Sequence, residues 1–266
     1  MEKRQKVRVA ITVLRTEELS PSLRRIVFAS DDFASYIPNH GDDTDTYVKL
    51  AFQTPDGEVR RTYTVATVDP EAEELTIDFV IHGDQGIAGP WARDAKAGDR
   101  IELLGPGSGY RPDPDADHHL FVGDEAALPA IAAAFAVLEP NARGTAFIEV
   151  DDENHRIDLP TAANVEVNWL HRAPAAAGTT SLLFDAVQAW PWPDGRVQAF
   201  VHGESGLLKT VRPFLLDGRV ERRDISVSAY WRRGVDEQGF REWKASQAEA
   251  VMRPGENEAN GNKSEA

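Results

Sequence analysis

The feature that most limits what this chain can fold into is a change of hydrophobic period near residue 118. Upstream, apolar residues alternate in short runs, the two-residue period of strands. Residues 7–13 alternate, 24–28 make a short strand, and 46–52 and 58–66 flank Gln53-Thr54-Pro55-Asp56-Gly57, a turn by composition. Residues 75–82 and 100–104 complete the set, and 89–96 is the only helical stretch expected there. Many short strands at this spacing predict a closed antiparallel barrel. Downstream, strands at 119–123, 144–150, 165–170, 196–202 and 225–231 alternate with helices at 126–138, 180–189 and 207–216. That order predicts an α/β domain, a three-layer arrangement around a parallel sheet. The expected fold is therefore two-domain, an N-terminal antiparallel β-barrel followed by a C-terminal α/β parallel sheet. The proline-rich, acidic run Arg111-Pro112-Asp113-Pro114-Asp115 suggests the boundary, giving domains over 1–115 and 116–252. Residues 253–266 lack any apolar period and read as a disordered tail.

Composition narrows the chemistry. Hydrophobic residues make up 41% of the 266, enough for a real core. The chain has no cysteine, which excludes disulfides, iron–sulfur clusters, thiolate zinc sites and cysteine nucleophiles together. Redox chemistry would have to come from a bound organic cofactor. A net charge of −15 disfavours nucleic acid and anionic membranes as partners, and an anionic substrate would need a local basic patch. The seven histidines show no metal-ligand spacing, so no metal site is expected. No apolar run approaches a membrane span, and the N-terminus carries no signal-peptide core, so a cytoplasmic protein is expected.

The run Arg60-Arg61-Thr62-Tyr63-Thr64-Val65 carries the most chemistry. On a strand, Arg61 and Tyr63 share a face and Thr64 points the other way. A guanidinium suits a phosphate, a phenol ring suits a flat aromatic ligand, and a hydroxyl can bond a ring heteroatom. The same residue types also make an ordinary strand. Gly86-Ile87-Ala88-Gly89-Pro90-Trp91-Ala92 places glycines just ahead of a helix, where backbone N–H groups can approach a phosphate. Gly105-Pro106-Gly107-Ser108-Gly109-Tyr110 is either a ligand-contacting turn, with Tyr110 against a ring, or a turn joining domains. Gly123-Asp124-Glu125 and His202-Gly203-Glu204 end two strands of the second domain, the edge where ligands bind in open α/β sheets, although the G-x-G-x-x-G fingerprint is absent.

Together with Ser228-Ala229-Tyr230-Trp231-Arg232-Arg233-Gly234, these stretches resemble the siderophore-interacting proteins, flavin-dependent ferric-siderophore reductases of the ferredoxin-reductase-like superfamily. The resemblance covers about residues 7–250. It implies an FAD-binding barrel, an NAD(P)-binding-like second domain, and electron transfer from NADPH or NADH through non-covalent FAD to a ferric siderophore. The cofactor-binding residues it implies are Arg61, Thr62, Tyr63, Thr64, His82, Gly83, Gly86, Ala88, Gly89, Trp91, Asp124, Glu125 and Glu204. Lys49, Arg232 and Arg233 are the implied siderophore contacts. Two positions depart from the family pattern: Ala126 stands where Ser or Thr is usual, and Ala229 where Gly is usual. Alternatives on the same fold are a flavin reductase coupled to ferredoxin, with Tyr230-Trp231 shielding the flavin, and a non-enzymatic siderophore-binding protein.

Overall fold

The computed structural model describes residues 7–30, 32–81, 86–161 and 163–235, together with Gly239, Phe240, Trp243, Lys244 and Ser246. His82 and Gly83, and the tail from 253, lie outside the described residues. The first half is a closed six-stranded barrel. Its strands are β1 (Val7–Ser20), β2 (Leu23–Ala29), β3 (Tyr47–Thr54), β4 (Gly57–Asp69), β5 (Glu74–Val80) and β6 (Arg100–Gly107). They close in the order β1-β2-β5-β4-β3-β6, each neighbouring pair antiparallel. Inward-pointing residues such as Ile11, Ile26, Phe28, Leu50, Ile77, Phe79 and Leu103 are removed from solvent and form its core.

Two short helices flank the barrel, α1 (Phe33–His40) and α2 (Ala88–Asp94). Only the second was expected. α1 is short, contains Pro38, and has no side-chain N-cap, so its local signals argue against a helix. Tertiary burial overrides them: Phe33 and Tyr36, one turn apart, are buried in the barrel core.

The second half is a five-stranded parallel sheet of β7 (His118–Asp124), β8 (Arg143–Val150), β9 (Asn164–His171), β10 (Val197–Glu204) and β11 (Ile225–Trp231). The strand order is β11-β10-β7-β8-β9, so the order reverses between β7 and β10. Helix α3 (Leu128–Val137) covers one face, packing Ala130, Ala134 and Phe135 against Phe121, Ile148 and Phe200. Helices α4 (Leu182–Ala189) and α5 (Val211–Leu216) cover the other, where Leu183, Val187, Val211 and Leu215 meet Leu120, Val122 and Val201. Burial on both faces explains the unbroken apolar run of β7. The expected helix at 207–216 divides into a 3₁₀ turn, Ser205–Leu208, and α5. The Glu204 side chain caps the turn at the Gly206 N–H.

The turn out of β7 depends on Gly123: a Cβ there would sit 2.6 Å from the Ala127 Cβ and 2.9 Å from the His202 carbonyl oxygen. The acidic connecting run is pinned to the second half. Arg196 pairs with Asp113 at 2.5 Å and with Asp224 at 2.5 Å, and Gln198 accepts from the Asp113 N–H at 2.8 Å. Leu23 and Tyr110 from the barrel half join the α3-side core, so hydrophobic packing is continuous between the two halves. Among the described residues no helix is long and apolar enough to cross a membrane.

Phe121 lies at the centre of the α3 face, its ring 5.1 Å from Phe135 and 6.3 Å from Phe200. Phe121→Ala is expected to cost about 3–5 kcal/mol by lost burial and a residual cavity. The urea midpoint at unchanged m-value measures it, and a loss below about 1 kcal/mol would contradict this packing.

Candidate functional site

β4 pairs with β3 along its whole first half, from Thr54↔Gly57 to Tyr47↔Thr64. With β5 it pairs only from Val65↔Ile77 to Asp69↔Glu74. The other half of β5, through Phe79 and Val80, pairs with β2 alone. The barrel wall therefore splits along one side of residues 57–64, and the backbone edge there has no strand partner among the described residues. The residues the sequence singled out lie on that edge.

Strand alternation divides them between two faces. Tyr63 stands opposite Val48 and Arg61 opposite Leu50, on the core side of the strand. The Tyr63 ring rests 4.4 Å from buried Phe79. The Arg61 guanidinium meets no carboxylate among the described residues and donates to the Arg60 carbonyl at 3.0 Å. Thr62 and Thr64 face outward with Lys49 and Tyr47, their cross-strand partners. Lys49 is exposed and Thr64 is buried.

α2 closes the barrel end beside the split. The Trp91 ring packs against Phe28, Phe52 and Phe79, with centroids 5.7–6.4 Å apart. Trp91 is half-buried, and its backbone N–H donates to the Ile87 carbonyl at 3.2 Å. The first turn of α2 has no side-chain cap, and Gly86 ahead of it has φ +85°. This leaves donor N–H groups for an anion.

The segment at 105–110 resolves to the joining role. Asp45 accepts the Gly109 and Tyr110 N–H groups at 2.8 and 2.9 Å, and Ser108 donates to Asp43 at 2.6 Å. The Tyr110 ring is buried against Phe200 at 4.8 Å.

At the carboxyl edge of the parallel sheet, Asp124 is buried and gathers three strand ends. One oxygen accepts from the Ala126 N–H at 3.0 Å. The other accepts from the Glu204 N–H at 2.9 Å and the Trp231 indole at 2.7 Å. Burial pushes its carboxyl up to about 7 against the pull of the indole bond. Gly203 has φ +145°, and a Cβ there would strike the Asp124 carboxylate at 2.7 Å. The position of Ala126 is thus served through its backbone, and Ala229 is buried in β11.

Glu125 forms a buried ion pair with Arg172 at 2.6 Å. Glu149, beside Asp124 in register, accepts from the Thr180 hydroxyl at 2.5 Å. Burial raises the Glu149 carboxyl and the Thr180 bond opposes it. Arg172 belongs to no motif; the available signal was a cation just past a strand's carboxyl end. Glu204 also receives the Ser205 hydroxyl and the Arg233 N–H.

The two halves meet at β4. The Tyr230 side chain, near the end of β11, lies beside Thr64 of β4, and burial raises its phenol above the ordinary range. Its ring lies 5.0 Å from His202, which is stacked on Phe200 and whose pKa burial lowers to about 3. Arg232 is covered by the Trp243 ring at 5.0 Å, whereas Arg233 is exposed. The structure thus brings Lys49, Thr62 and Thr64 to one face and seats Tyr230 on it. Asp124, Glu125 and Glu204 are engaged in bonds within the second half. One group escaped the sequence reading: Asp151, Asp152 and His155 offer ligand atoms within 4.8 Å of one another, with Asp152 bonded to His155 at 2.8 Å.

Comparison with known proteins agrees with this architecture. The family model described as "Siderophore-interacting protein" matches residues 116–234, and that described as "Siderophore-interacting FAD-binding domain" matches 12–60 and 57–110. An uncharacterized protein of Mycobacterium tuberculosis is 40% identical, covering 91% of this chain and 96% of the relative. The ferric vibriobactin reductase ViuB of Vibrio cholerae is 36% identical, covering 69% and 68%. The crystal structure of a siderophore utilization protein from T. fusca superposes with a TM-score of 0.80 at 36% identity, covering 87% and 95%. The ferredoxin reductase of carbazole 1,9a-dioxygenase shares the fold alone, at 17% identity and a TM-score of 0.66, covering 87% and 71%. The barrel with its split wall, the parallel sheet behind it and both family matches lead to one assignment: the chain belongs to the siderophore-interacting protein family.

Proposed function

We propose that this protein is an FAD-dependent ferric-siderophore reductase that draws electrons from NAD(P)H in the cytoplasm. The observation that carries the reading is the unpaired β4 edge with Arg61 and Tyr63 on it, inside the stretch matched by the siderophore-interacting FAD-binding model. The residues present fit FAD. Among the described residues Arg61 meets no carboxylate, which suits a diphosphate, and the turn at Gly86–Gly89, without a side-chain cap among them, adds N–H donors. Tyr63 would support the flat ring, and Thr62 and Thr64 add hydroxyls for its polar edge. His82 and Gly83, outside the described residues, stay assigned by resemblance alone. Bound there, FAD would accept an electron pair from a nicotinamide and pass electrons singly to iron.

The chain's own part is positioning and access. Hard oxygen ligands hold Fe(III) far better than Fe(II), so delivering one electron is enough to loosen the metal. Tyr230 lies beside Thr64, so its ring covers part of this face. Lys49 gives the outward face a cation on a chain of net charge −15, which suits an anionic siderophore. Exposed Arg233 would add to it, and Arg232 would once the Trp243 ring moves aside.

Two variants test the reading. Arg61→Ala removes a charge-assisted bond of about 1.5–3 kcal/mol, so the FAD dissociation constant of the apoprotein should rise roughly 10- to 100-fold by fluorescence titration. An unchanged constant removes Arg61 from the site. Lys49→Glu should raise KM for an anionic ferric siderophore several-fold and leave FAD content unaltered, as followed by Fe(II) release to a chromogenic chelator. Equal KM values in the two proteins would end that assignment. Wild-type protein that takes up no FAD at all would overturn the reductase reading itself.

A further inference from the structure

Among the described residues four large apolar side chains are exposed, Leu14, Tyr47, Val137 and Val235, and only Tyr47 is aromatic. It stands on the outward face of β3, opposite Thr64 and two residues before Lys49. Aromatic rings pack best against other rings, and this one is left 40% exposed beside the proposed ligand face.

The ring is also held in place. Tyr47 pairs with Gly107 of β6, and a Cβ on Gly107 would lie 2.5 Å from the Tyr47 Cζ and 2.6 Å from its hydroxyl oxygen. The outer end of the ring therefore rests on bare glycine backbone. Gly107 does not have a left-handed φ, so room for this ring, rather than backbone conformation, is what requires glycine there. Tyr230 lies near both Thr64 and Tyr47.

The surrounding charge favours an anion. Lys49 is exposed and makes no ion pair among the described residues. Leu104 pairs with it from β6 and adds apolar surface. Asp43 and Asp45, just ahead of β3, are engaged by Ser108 at 2.6 Å and by the Gly109 and Tyr110 N–H groups at 2.8 and 2.9 Å.

We infer that Tyr47 is a specificity-determining contact whose ring packs against an aromatic iron-ligand ring, so that this face takes ferric complexes of catecholates in preference to those of aliphatic hydroxamates. The inference rests on the reading above that a ferric siderophore docks here. A catecholate gives iron both oxygens from one ring, so rings form the outer surface of its complex and the complex is strongly anionic. A stacked or edge-on ring pair with Tyr47 suits the first property, and Lys49 suits the second. An aliphatic hydroxamate offers no ring, and its ferric complex carries little negative charge.

Gallium(III) has the charge of Fe(III) but takes no electron from a flavin, so binding is measurable without turnover. The FAD-loaded protein is titrated calorimetrically with the gallium complexes of a hexadentate tris-catecholate and of a hexadentate tris-hydroxamate. The catecholate complex should bind at least about tenfold more tightly. Because it is also the more charged, the part played by the ring is read from variants. Tyr47→Leu should weaken catecholate binding about three- to tenfold and Tyr47→Phe less than about twofold, with hydroxamate binding and FAD affinity unaltered. Gly107→Ala crowds the outer end of the ring and should reproduce the Tyr47→Leu loss with Tyr47 still present. Equal or tighter hydroxamate binding overturns the inference, as does catecholate binding indifferent to Tyr47→Leu. If Tyr47→Leu lowers the melting temperature, Gly107→Ala decides, and an undiminished catecholate affinity in it is equally fatal. Protein that binds neither complex loses the siderophore reading and the inference together. Photoreduced protein that reduces a ferric siderophore yet binds both gallium complexes alike loses only the inference. Protein that prefers the catecholate through Tyr47 yet leaves its ferric complex oxidised loses only the reductase reading.

Discussion

A single buried carboxylate ties together three strand ends of the parallel sheet. Asp124 ends the central strand β7 and accepts from the Ala126 and Glu204 backbones and from the Trp231 indole. A buried acid is stable only while its acceptor sites are filled, so these three donors are obligatory rather than incidental. By holding Trp231, Asp124 sets the end of β11, and the neighbouring residue Tyr230 reaches across to Thr64 on the barrel. The Asp124–Trp231 bond thus fixes the strand end that brings Tyr230 beside Thr64. Gly203 belongs to the same device, since any side chain there would occupy the space of the carboxylate.

The barrel contributes the complementary constraint. A fully paired wall would leave no backbone or side-chain edge for a ligand. This wall is closed by core packing yet split where β4 leaves β5, and Tyr63 and Arg61 are among the core-facing residues of the split. Phe79 supports the Tyr63 ring from within, and Trp91 plugs the barrel end without needing strand pairing. The aromatic packing thus stabilises an opening that hydrogen bonding alone would have closed.

Charge is distributed in keeping with the partners proposed. The overall acidity would repel anions, but the outward face of β3 carries Lys49 and the chain beyond β11 adds Arg233. At the sheet edge, Arg172 is paired with Glu125 and Thr180 donates to Glu149.

The sequence by itself determined the architecture. Two-residue alternation before residue 118 and strand–helix alternation after it are local consequences of which faces are buried, so a barrel and a parallel sheet were legible from period alone. The run at 60–65 was likewise legible as a strand with chemistry on it. Helix α1 was not, because Pro38 and the missing cap oppose it and only the burial of Phe33 and Tyr36 in a core assembled from distant strands outweighs them. The split beside β4, the pairing of Arg172 with Glu125 and the seating of Tyr230 on Thr64 were decided by tertiary structure alone. Each is a contact between residues far apart in the chain, and the spacing of residues along a sequence carries no record of which strand edge is left unpaired or which charge is already neutralised.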